Sequence, residues 1–201
     1  MEFKNSKTRE NLMRAFAGES QARNRYTFAA AAAKSAGLHW IERIFRFTAD
    51  QEKEHAELFF KLLASSEGEN IHIDASFPVE NTVWPTDRLL RSAQHNEYEE
   101  ARSVYPAFAA IAREEGFNAA AATFEMIARI EQTHGDRFGQ LAQRIEEGKL
   151  FTAEGENMQW LCLNCGHIHT GSQVPPLCPV CKHAQGYFVR VEAGEILAAI
   201  R

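Results

Sequence analysis

The sequence is short of three features that would each point to a particular class of protein: long apolar runs, excess positive charge and scattered cysteines. No stretch approaches the roughly 18 apolar residues of a membrane-spanning helix, so we expect no membrane partner. The formal net charge is −5, which offers no general basic surface for nucleic acid. The first ten residues are charged and contain no apolar run, so we expect no secretory signal and a cytoplasmic location.

Cysteine is confined to the end of the chain, where Cys162, Cys165, Cys178 and Cys181 are the only four. They form two C-x-x-C pairs, a spacing that places four sulfurs around one tetrahedral metal ion. In a chain without an export signal, this pattern favours a metal site over a disulfide framework. The spacing alone slightly favours zinc, because zinc ribbons are common, although a single iron ion also accepts four thiolates.

Strand-like alternation is also missing from residues 1–147, which instead repeat apolar residues at helical spacing. We predict four helices there, each followed closely by a glycine: 6–36, 40–65, 87–115 and 117–147. Residues 69–86 contain Pro78 and Pro85 and should form one long crossover between the second and third helices. Pro106 lies inside the third helix and predicts a kink there.

The composition changes after about residue 153, where short strand-like runs and turn residues replace the helical pattern. We therefore predict a mainly α-helical protein with two domains. Residues 1–150 should form an antiparallel four-helix bundle, and residues 157–201 a small β and loop domain around the cysteines. Trp160, Tyr187 and Phe188 are expected to form the core of that small domain. The metal should be its main source of stability, because a domain of about 40 residues buries little apolar surface.

Each predicted helix carries one inward-facing stripe of residues spaced three or four apart, and acidic residues interrupt every stripe near its middle. On the third helix the stripe is Leu90, Ala93, Glu97, Glu100, Val104, Ala107 and Ile111. The interrupting residues of all four helices are Glu19 on the first, Glu52 and His55 on the second, Glu97 and Glu100 on the third, and Glu131 and His134 on the fourth.

Five carboxylates and two imidazoles would thus share one layer of the core. Unpaired charges there would cost several kcal/mol each, whereas two metal ions would offset most of the negative charge. Oxygen-rich sites with two imidazoles suit iron or manganese. A single glutamate on a helical stripe is more often a solvated edge residue. Here the interrupting residues of all four helices fall at the same level of the bundle, which favours a two-metal site.

Several segments resemble the signatures of rubrerythrins: Ala17–Tyr26, Asp50–His55, Tyr105–Pro106 and Ile111–Gly116. The resemblance runs from about Ser6 to the end of the chain and implies a ferritin-like bundle followed by a rubredoxin-like domain. It implies that the seven interrupting residues are the ligands of a di-iron centre, with Glu52 and Glu131 bridging the irons. Glu100 and His55 would replace each other as a ligand of one iron when the redox state of the centre changes.

The same resemblance implies catalytic roles for Glu100 and His55, and for Tyr26 and Tyr105 as tyrosines that hydrogen-bond the ligands. Tyr26 and Tyr105 could instead be ordinary core aromatics. The resemblance of residues 160–171 to the rubredoxin-like domain of rubrerythrins favours iron over zinc at the cysteines. The implied activity is the reduction of hydrogen peroxide with electrons from an external NAD(P)H-dependent reductase. A homodimer or higher homo-oligomer is implied, because one chain's two centres are thought to lie far apart in this family.

Two rival interpretations remain at this point. A ferritin-type ferroxidase or iron-storage protein would share the bundle and most of its ligands, but not the fifth carboxylate or the four-cysteine domain. A non-enzymatic binding protein would use a zinc ribbon to recognise a partner. Iron content and a visible spectrum separate these alternatives, because ferric iron bound by thiolates absorbs strongly and zinc does not.

Overall fold

We describe the fold from a computed structural model, which covers residues 2–81 and 83–191. Its helices are α1 (Lys7–Ser35), α2 (His39–Leu62), α3 (Thr86–Glu99), α4 (Tyr105–Glu114) and α5 (Asn118–Glu146). The Ser6 hydroxyl caps α1 by accepting a hydrogen bond from the Arg9 backbone N–H at 3.1 Å. Within the described residues, no helix is long and apolar enough to cross a membrane.

The helices pack as two hairpins, α1 with α2 and the continuous pair α3–α4 with α5. A short turn joins the helices of each hairpin, and Gly37 and Gly116 adopt the positive φ angles that end α1 and α4. Residues 69–81 adopt neither helix nor strand and form the predicted crossover between the hairpins. The mainly helical, ferritin-like architecture predicted from the sequence is confirmed.

Two apolar clusters fill the bundle, one towards each end. Tyr26, Phe45 and Phe138 belong to the first cluster, and Phe59 and Phe124 to the second. On every helix, the acidic residues predicted to interrupt the stripe lie between the segments that supply these two clusters. Packed aromatic rings therefore cover the polar layer towards both ends of the bundle.

The third predicted helix contains a π-turn at Glu100–Val104, which joins α3 to α4. A π-turn uses one extra residue, so the inward-facing positions shift along the chain after Glu100. The stripe predicted there is wrong: Ala107 is exposed, and Tyr105, Ala109 and Ala112 are buried instead. Pro106 follows directly as the second residue of α4, where a missing N–H is tolerated.

The cysteine region forms a three-stranded antiparallel sheet in the order β2–β1–β3, from β1 (Gln159–Cys162), β2 (Ile168–Thr170) and β3 (Phe188–Arg190). Trp160 and Phe188 are fully buried in its core, as predicted, whereas Tyr187 is only partly buried. The domain boundary near residues 150–157 stays a prediction. Residues 192–201 of the predicted second domain lie outside the described residues.

This small domain packs against the end of its own bundle at the α1–α2 turn. The ring of Tyr187 stacks on His39 with the ring centres 3.9 Å apart. Arg43 donates a hydrogen bond to the Leu163 carbonyl at 3.2 Å, and Val189 joins the first apolar cluster of the bundle. Gly186 lies so close to the Gly37 carbonyl that a side chain at Gly186 would collide with it.

Candidate metal centres

The polar layer of the bundle contains two overlapping groups of buried ligand atoms. Within each group, the candidate ligand atoms lie within 4.8 Å of one another. One group is Glu19, Glu52, His55 and Glu131, and the other is Glu52, Glu97, Glu131 and His134. Glu52 and Glu131 belong to both groups, so the structure has room for two neighbouring metal ions that share these two carboxylates.

The shared carboxylates divide their oxygens between the two imidazoles. Glu52 places Oε2 3.1 Å from Nδ1 of His55 and Oε1 3.1 Å from Nδ1 of His134. Glu131 places Oε1 2.8 Å from Nδ1 of His55 and Oε2 2.8 Å from Nδ1 of His134. Glu19 approaches only His55, at 3.8 Å, and Glu97 approaches only His134, at 3.6 Å. This symmetry suits two carboxylates that bridge and two that each serve one ion.

Several of these buried atoms have no hydrogen-bond partner, although charged neighbours lie close by. They are Glu19 Oε2, Glu52 Oε1, Glu97 Oε2, both carboxylate oxygens of Glu131 and His134 Nδ1. Buried polar atoms are normally paired, because each unpaired one costs about 1–3 kcal/mol. Here lone pairs converge on a common centre without hydrogen-bond geometry. Metal cations satisfy such lone pairs directly, so the residues present fit a di-metal centre.

Three side chains outside the layer hold its members in place. Tyr26 donates a short hydrogen bond to Glu97 Oε1, and Tyr105 donates one to Glu19 Oε1. The Gln51 side-chain oxygen lies 3.1 Å from Nε2 of His134. A protonated Nε2 bonded to Gln51 would leave Nδ1 as the metal-binding atom. Sequence reasoning missed Gln51, and its position directly before Glu52 was the only available signal.

Burial and neighbouring charges shift the pKa values of the carboxyl groups in this layer, upward for three of them and downward for one. Burial and then neighbouring carboxylates raise the pKa of Glu19, Glu97 and Glu100 well above its ordinary value. Burial alone would also raise the pKa of Glu52, but the imidazoles of His134 and His55 outweigh it and lower that pKa. Without metal, the layer therefore holds protons where cations would otherwise bind.

Glu100 differs from the other predicted ligands because it belongs to neither group of clustered atoms. Its Oε1 points towards Gly18 on α1, 3.8 Å from the position that a Cβ on Gly18 would occupy. Glu100 also lines a surface pocket, and it is the first residue of the π-turn. His55, by contrast, stands within the first group.

The four cysteines form a second site, within two backbone loops of the same design. The N–H of Gly166 donates to the Cys162 carbonyl and that of Lys182 to the Cys178 carbonyl, at 2.9 and 3.0 Å. Gly166 and Lys182 both have positive φ angles, 79° and 63°. The sequence repeat C-x-x-C thus becomes a structural repeat, with one knuckle on each side of the site.

The sulfur geometry fits one tetrahedral ion. Sγ of Cys162 lies 3.7 Å from Sγ of Cys181, and Sγ of Cys165 lies 3.7 Å from Sγ of Cys178. Four sulfurs at about 2.3 Å from a tetrahedral centre would be about 3.8 Å apart. A backbone hydrogen bond from His183 lowers the pKa of the Cys181 thiol to about 5, which favours the thiolate that a metal needs.

The nearby histidines do not join the cysteine group. His169 Nε2 lies 3.1 Å from the Gln173 carbonyl, and His183 Nδ1 lies 3.2 Å from the Cys181 carbonyl. These two histidines therefore have hydrogen-bonding contacts with backbone carbonyls and are not members of the cysteine group.

Comparison with known proteins places both regions in one family. Residues 10–142 match the family model described as rubrerythrin, and residues 160–189 match the rubrerythrin rubredoxin-like domain. A rubrerythrin of Clostridium perfringens is 48% identical over 189 residues, covering 92% of this chain and 95% of that protein. A rubrerythrin of Porphyromonas gingivalis is 47% identical over 186 residues, covering 92% and 90%.

The structural comparisons agree. Fully reduced, all-ferrous nigerythrin is 31% identical with a TM-score of 0.62, covering 94% of this chain and 91% of that one. A bacterioferritin of Desulfovibrio desulfuricans shares the fold at a TM-score of 0.64 and 22% identity, covering 71% and 82%. Because the family matches extend over both the bundle and the cysteine region, the chain belongs to the rubrerythrin family, a family of oxidoreductases with a di-iron site and a four-cysteine iron site.

Proposed function

We propose that this protein reduces hydrogen peroxide to water with electrons delivered through its four-cysteine site. The observation that carries the proposal is the buried layer of carboxylates and imidazoles whose lone pairs converge without hydrogen-bond partners. When bound, the iron pair supplies the two electrons that cleavage of the O–O bond consumes, and the thiolate-bound iron supplies electrons singly.

The chain's own side chains are assigned the following roles. Glu19, Glu52, His55, Glu97, Glu100, Glu131 and His134 would hold the di-iron centre, and Cys162, Cys165, Cys178 and Cys181 the single iron. Within the first set, Glu52 and Glu131 would bridge, because each divides its two oxygens between the two imidazoles. Glu100 and His55 would alternate as ligands of one ion. The placement of His55 inside a ligand group and Glu100 outside it supports that exchange.

Reduction of peroxide also needs two protons, and the chain provides residues that can hold them near the site. Burial raises the pKa of the Glu100 carboxyl, so this group retains a proton when it is not a ligand. The Tyr105 hydroxyl donates to Glu19 and lines the same pocket as Glu100. We infer that Glu100 delivers a proton to the departing oxygen and that Tyr26 and Tyr105 hold the ligands in position.

The position of the small domain supports electron transfer between subunits. It packs on the α1–α2 turn beside His39, whereas Glu52 lies 13 residues further along α2. At 1.5 Å per residue, this places the domain about 20 Å from the di-metal layer of its own chain. A second chain arranged head to tail would shorten that path, so we propose a homodimer or higher homo-oligomer. The external donor is proposed to be an NAD(P)H-dependent reductase.

Metal content and anaerobic single-turnover kinetics test this proposal together. The loaded protein should contain about three iron ions per chain, two in the bundle and one at the cysteines. The chemically reduced protein, mixed with one equivalent of hydrogen peroxide, should reoxidise its bundle site much faster than it does with dioxygen. A single ion per chain would contradict the two-site account. Faster oxidation by dioxygen, with ferric iron accumulating in excess of the sites, would favour the ferritin-type ferroxidase instead.

A further inference from the structure

A pocket of about 230 Å³ lies beside the di-metal layer, under the crossover between α2 and α3. Gly18, Glu100 and Tyr105 line its inner end, and Tyr105 in turn donates a hydrogen bond to Glu19 of the layer. The pocket therefore reaches from the surface to the side of the layer where the proposed exchangeable ligand stands.

The roof of this pocket is the crossover segment 74–80, which is fastened to α1 at both ends. At one end, Arg14 pairs with the Asp74 carboxylate at 2.7 Å and donates to the Asp74 carbonyl at 3.1 Å. At the other end, Arg25 pairs with Glu80 at 2.9 Å, and both side chains are more than nine-tenths buried. The buried ion pair is the stronger fastening, because exposed pairs such as Arg14–Asp74 contribute little.

Glu80 is also held from the opposite hairpin. Its Oε1 accepts hydrogen bonds from the Ser92 hydroxyl at 2.8 Å and from the Asn96 amide at 3.2 Å, both on α3. A carboxylate that receives three donors from two helices has a fixed position. The crossover segment is consequently held in a defined position over the pocket, although its backbone forms neither helix nor strand.

Phe77 lies between the two fastenings and faces the inner end of the pocket. A Cβ on Gly18 would stand 3.8 Å from the Phe77 ring and 3.8 Å from Glu100 Oε1. Glycine in the middle of a helix costs about 0.5–1 kcal/mol relative to alanine. Here the missing side chain leaves open space between the aromatic ring and the carboxylate.

The pocket is much larger than hydrogen peroxide requires. A water molecule occupies about 30 Å³ of liquid, and an apolar protein cavity of about 150 Å³ is enough to bind benzene. Much of the pocket wall is apolar, with Ala15, Ala75, Phe77, Val104 and Phe108 among its lining residues. Its inner end, at Glu100 and Tyr105, is polar. This combination suits a molecule with one peroxide end and one compact apolar end.

We propose that the pocket binds the apolar tail of a small organic hydroperoxide, with its O–O group directed at Glu100, and that Phe77 and Ala75 set the size limit. This inference rests on the proposed peroxide reduction and extends its substrate class. The reaction breaks the O–O bond of R–O–O–H and takes up two electrons and two protons, giving R–O–H and water. The two electrons would come from a reduced iron pair held by the ligand residues of the layer, one electron from each ferrous ion.

The first test compares two substrates in variants of the roof. The rate of oxidation of the reduced protein is measured with cumene hydroperoxide and with hydrogen peroxide, and their ratio is the readout. Ala75→Trp should lower the ratio about tenfold by narrowing the pocket, since tenfold is the effect of about one well-placed steric contact. Phe77→Ala should raise it. Val79→Trp is the matched control, because Val79 is 94% exposed on the same segment and does not line the pocket.

The second test measures binding without turnover. The alcohol product, 2-phenylpropan-2-ol, is titrated calorimetrically into the oxidised, iron-loaded protein. We expect the wild type to bind the alcohol. The affinity should fall about tenfold or more in Ala75→Trp and stay unchanged in Val79→Trp if the pocket is the tail site. Ala75 and Val79 are exposed and lie outside helices and strands, so both substitutions should leave the fold intact.

The two tests distinguish failure of this inference from failure of the proposed function. Suppose that hydrogen peroxide oxidises the reduced wild type. If Ala75→Trp and Phe77→Ala then keep the wild-type ratio of the two oxidation rates, and Ala75→Trp keeps the wild-type affinity for the alcohol, the tail site is wrong. If the wild type reacts with neither peroxide, the proposed function is wrong. The calorimetric comparison then still decides for or against the pocket.

Discussion

The bundle site gathers ligands from four helices, between Glu19 and His134, whereas the cysteine site gathers its ligands from two short knuckles between Cys162 and Cys181. Apolar clusters cover the bundle site towards both ends of the bundle. The cysteine site has only a small core around Trp160 and leaves Cys165 exposed. The fold therefore creates the first site, whereas the metal is expected to hold the second one together.

This difference is also one of charge. The bundle forces carboxylates together inside a buried core, which raises the pKa of most of them and makes the metal-free layer unfavourable. The cysteine site buries Cys162 and Cys178 but leaves Cys165 exposed, and a backbone hydrogen bond from His183 lowers the pKa of the Cys181 thiol. Substrate chemistry suits the enclosed site, and exchange of electrons with an external donor suits the exposed one.

The largest expected effect comes from removing all metals with a chelator. Structural zinc contributes about 10–16 kcal/mol of folding free energy in zinc-finger peptides, and we expect the cysteine-bound metal to be comparably important here. We expect residues 157–191 to lose protection against amide hydrogen exchange, while α1, α2 and α5 keep theirs. Protection retained at the strand residues of the metal-free protein would show that the small domain folds on its apolar core.

A smaller effect is expected from Glu100→Ala, which concerns the bundle site alone. The substitution removes the proposed exchangeable ligand, so oxidation of the reduced protein by peroxide should slow roughly a hundredfold. Stopped-flow kinetics on protein of verified iron content measures this. Glu114→Ala, which removes an exposed carboxylate on α4, is the control and should leave the rate unchanged. An unaltered rate in fully loaded Glu100→Ala protein would remove Glu100 from the mechanism and favour the ferritin-like alternative.

Tyr105→Phe should have a more modest effect, because it removes one hydrogen bond to Glu19 and keeps the ring. The loss of one charge-assisted hydrogen bond corresponds to about a tenfold slower reaction with peroxide. The control is Tyr98→Phe, since Tyr98 donates to Asp136 on the surface at 2.7 Å. Equal rates for the two variants would mean that Tyr105 is only a core aromatic.

The pH dependence of the metal-free protein is a separate comparison, because it concerns the stability of the bundle rather than a reaction rate. The pKa values of Glu19, Glu97 and Glu100 are raised by burial and neighbouring carboxylates, so the folded bundle binds more protons than the unfolded chain. Burial would lower the pKa values of His55 and His134, but contacts with carboxylates outweigh it and raise them too. Stability from these groups is fully present below their unfolded pKa values and is lost as the pH rises.

We therefore expect the free energy of unfolding of the metal-free bundle to fall between about pH 5 and pH 8, by about 1.4 kcal/mol per pH unit for each extra bound proton. The lowered pKa of Glu52 acts in the opposite direction, but only as the pH falls below about 4.5. Urea unfolding at three pH values measures the slope. The iron-loaded protein is the control and should show the opposite trend, because metal binding displaces protons. A metal-free bundle that becomes more stable with rising pH would contradict these shifts.

Much of this organisation is predictable from the sequence, because it depends on local periodicity. Helical spacing predicted the four long helical segments and the layer of interrupting residues, and the C-x-x-C repeat predicted the knuckles. The shift of the inward face after Glu100 was not predictable, since Pro106 indicates a disturbance but not a π-turn. The fastening of the crossover by Arg25 and Glu80 was also missed, because a contact between residues 55 positions apart leaves no local pattern.

The central claim is that the bundle reacts with peroxide and that the cysteine site only supplies its electrons. Cys181→Ser tests it most directly, because the substitution removes one ligand of the exposed site and none of the bundle site. The account predicts loss of the visible thiolate absorption and of NADH-coupled turnover. A chemically reduced bundle should still be oxidised by one equivalent of peroxide at the wild-type rate in stopped-flow measurements. A Cys181→Ser protein with intact bundle iron that no longer reacts with peroxide in that single turnover would contradict the division between the two sites.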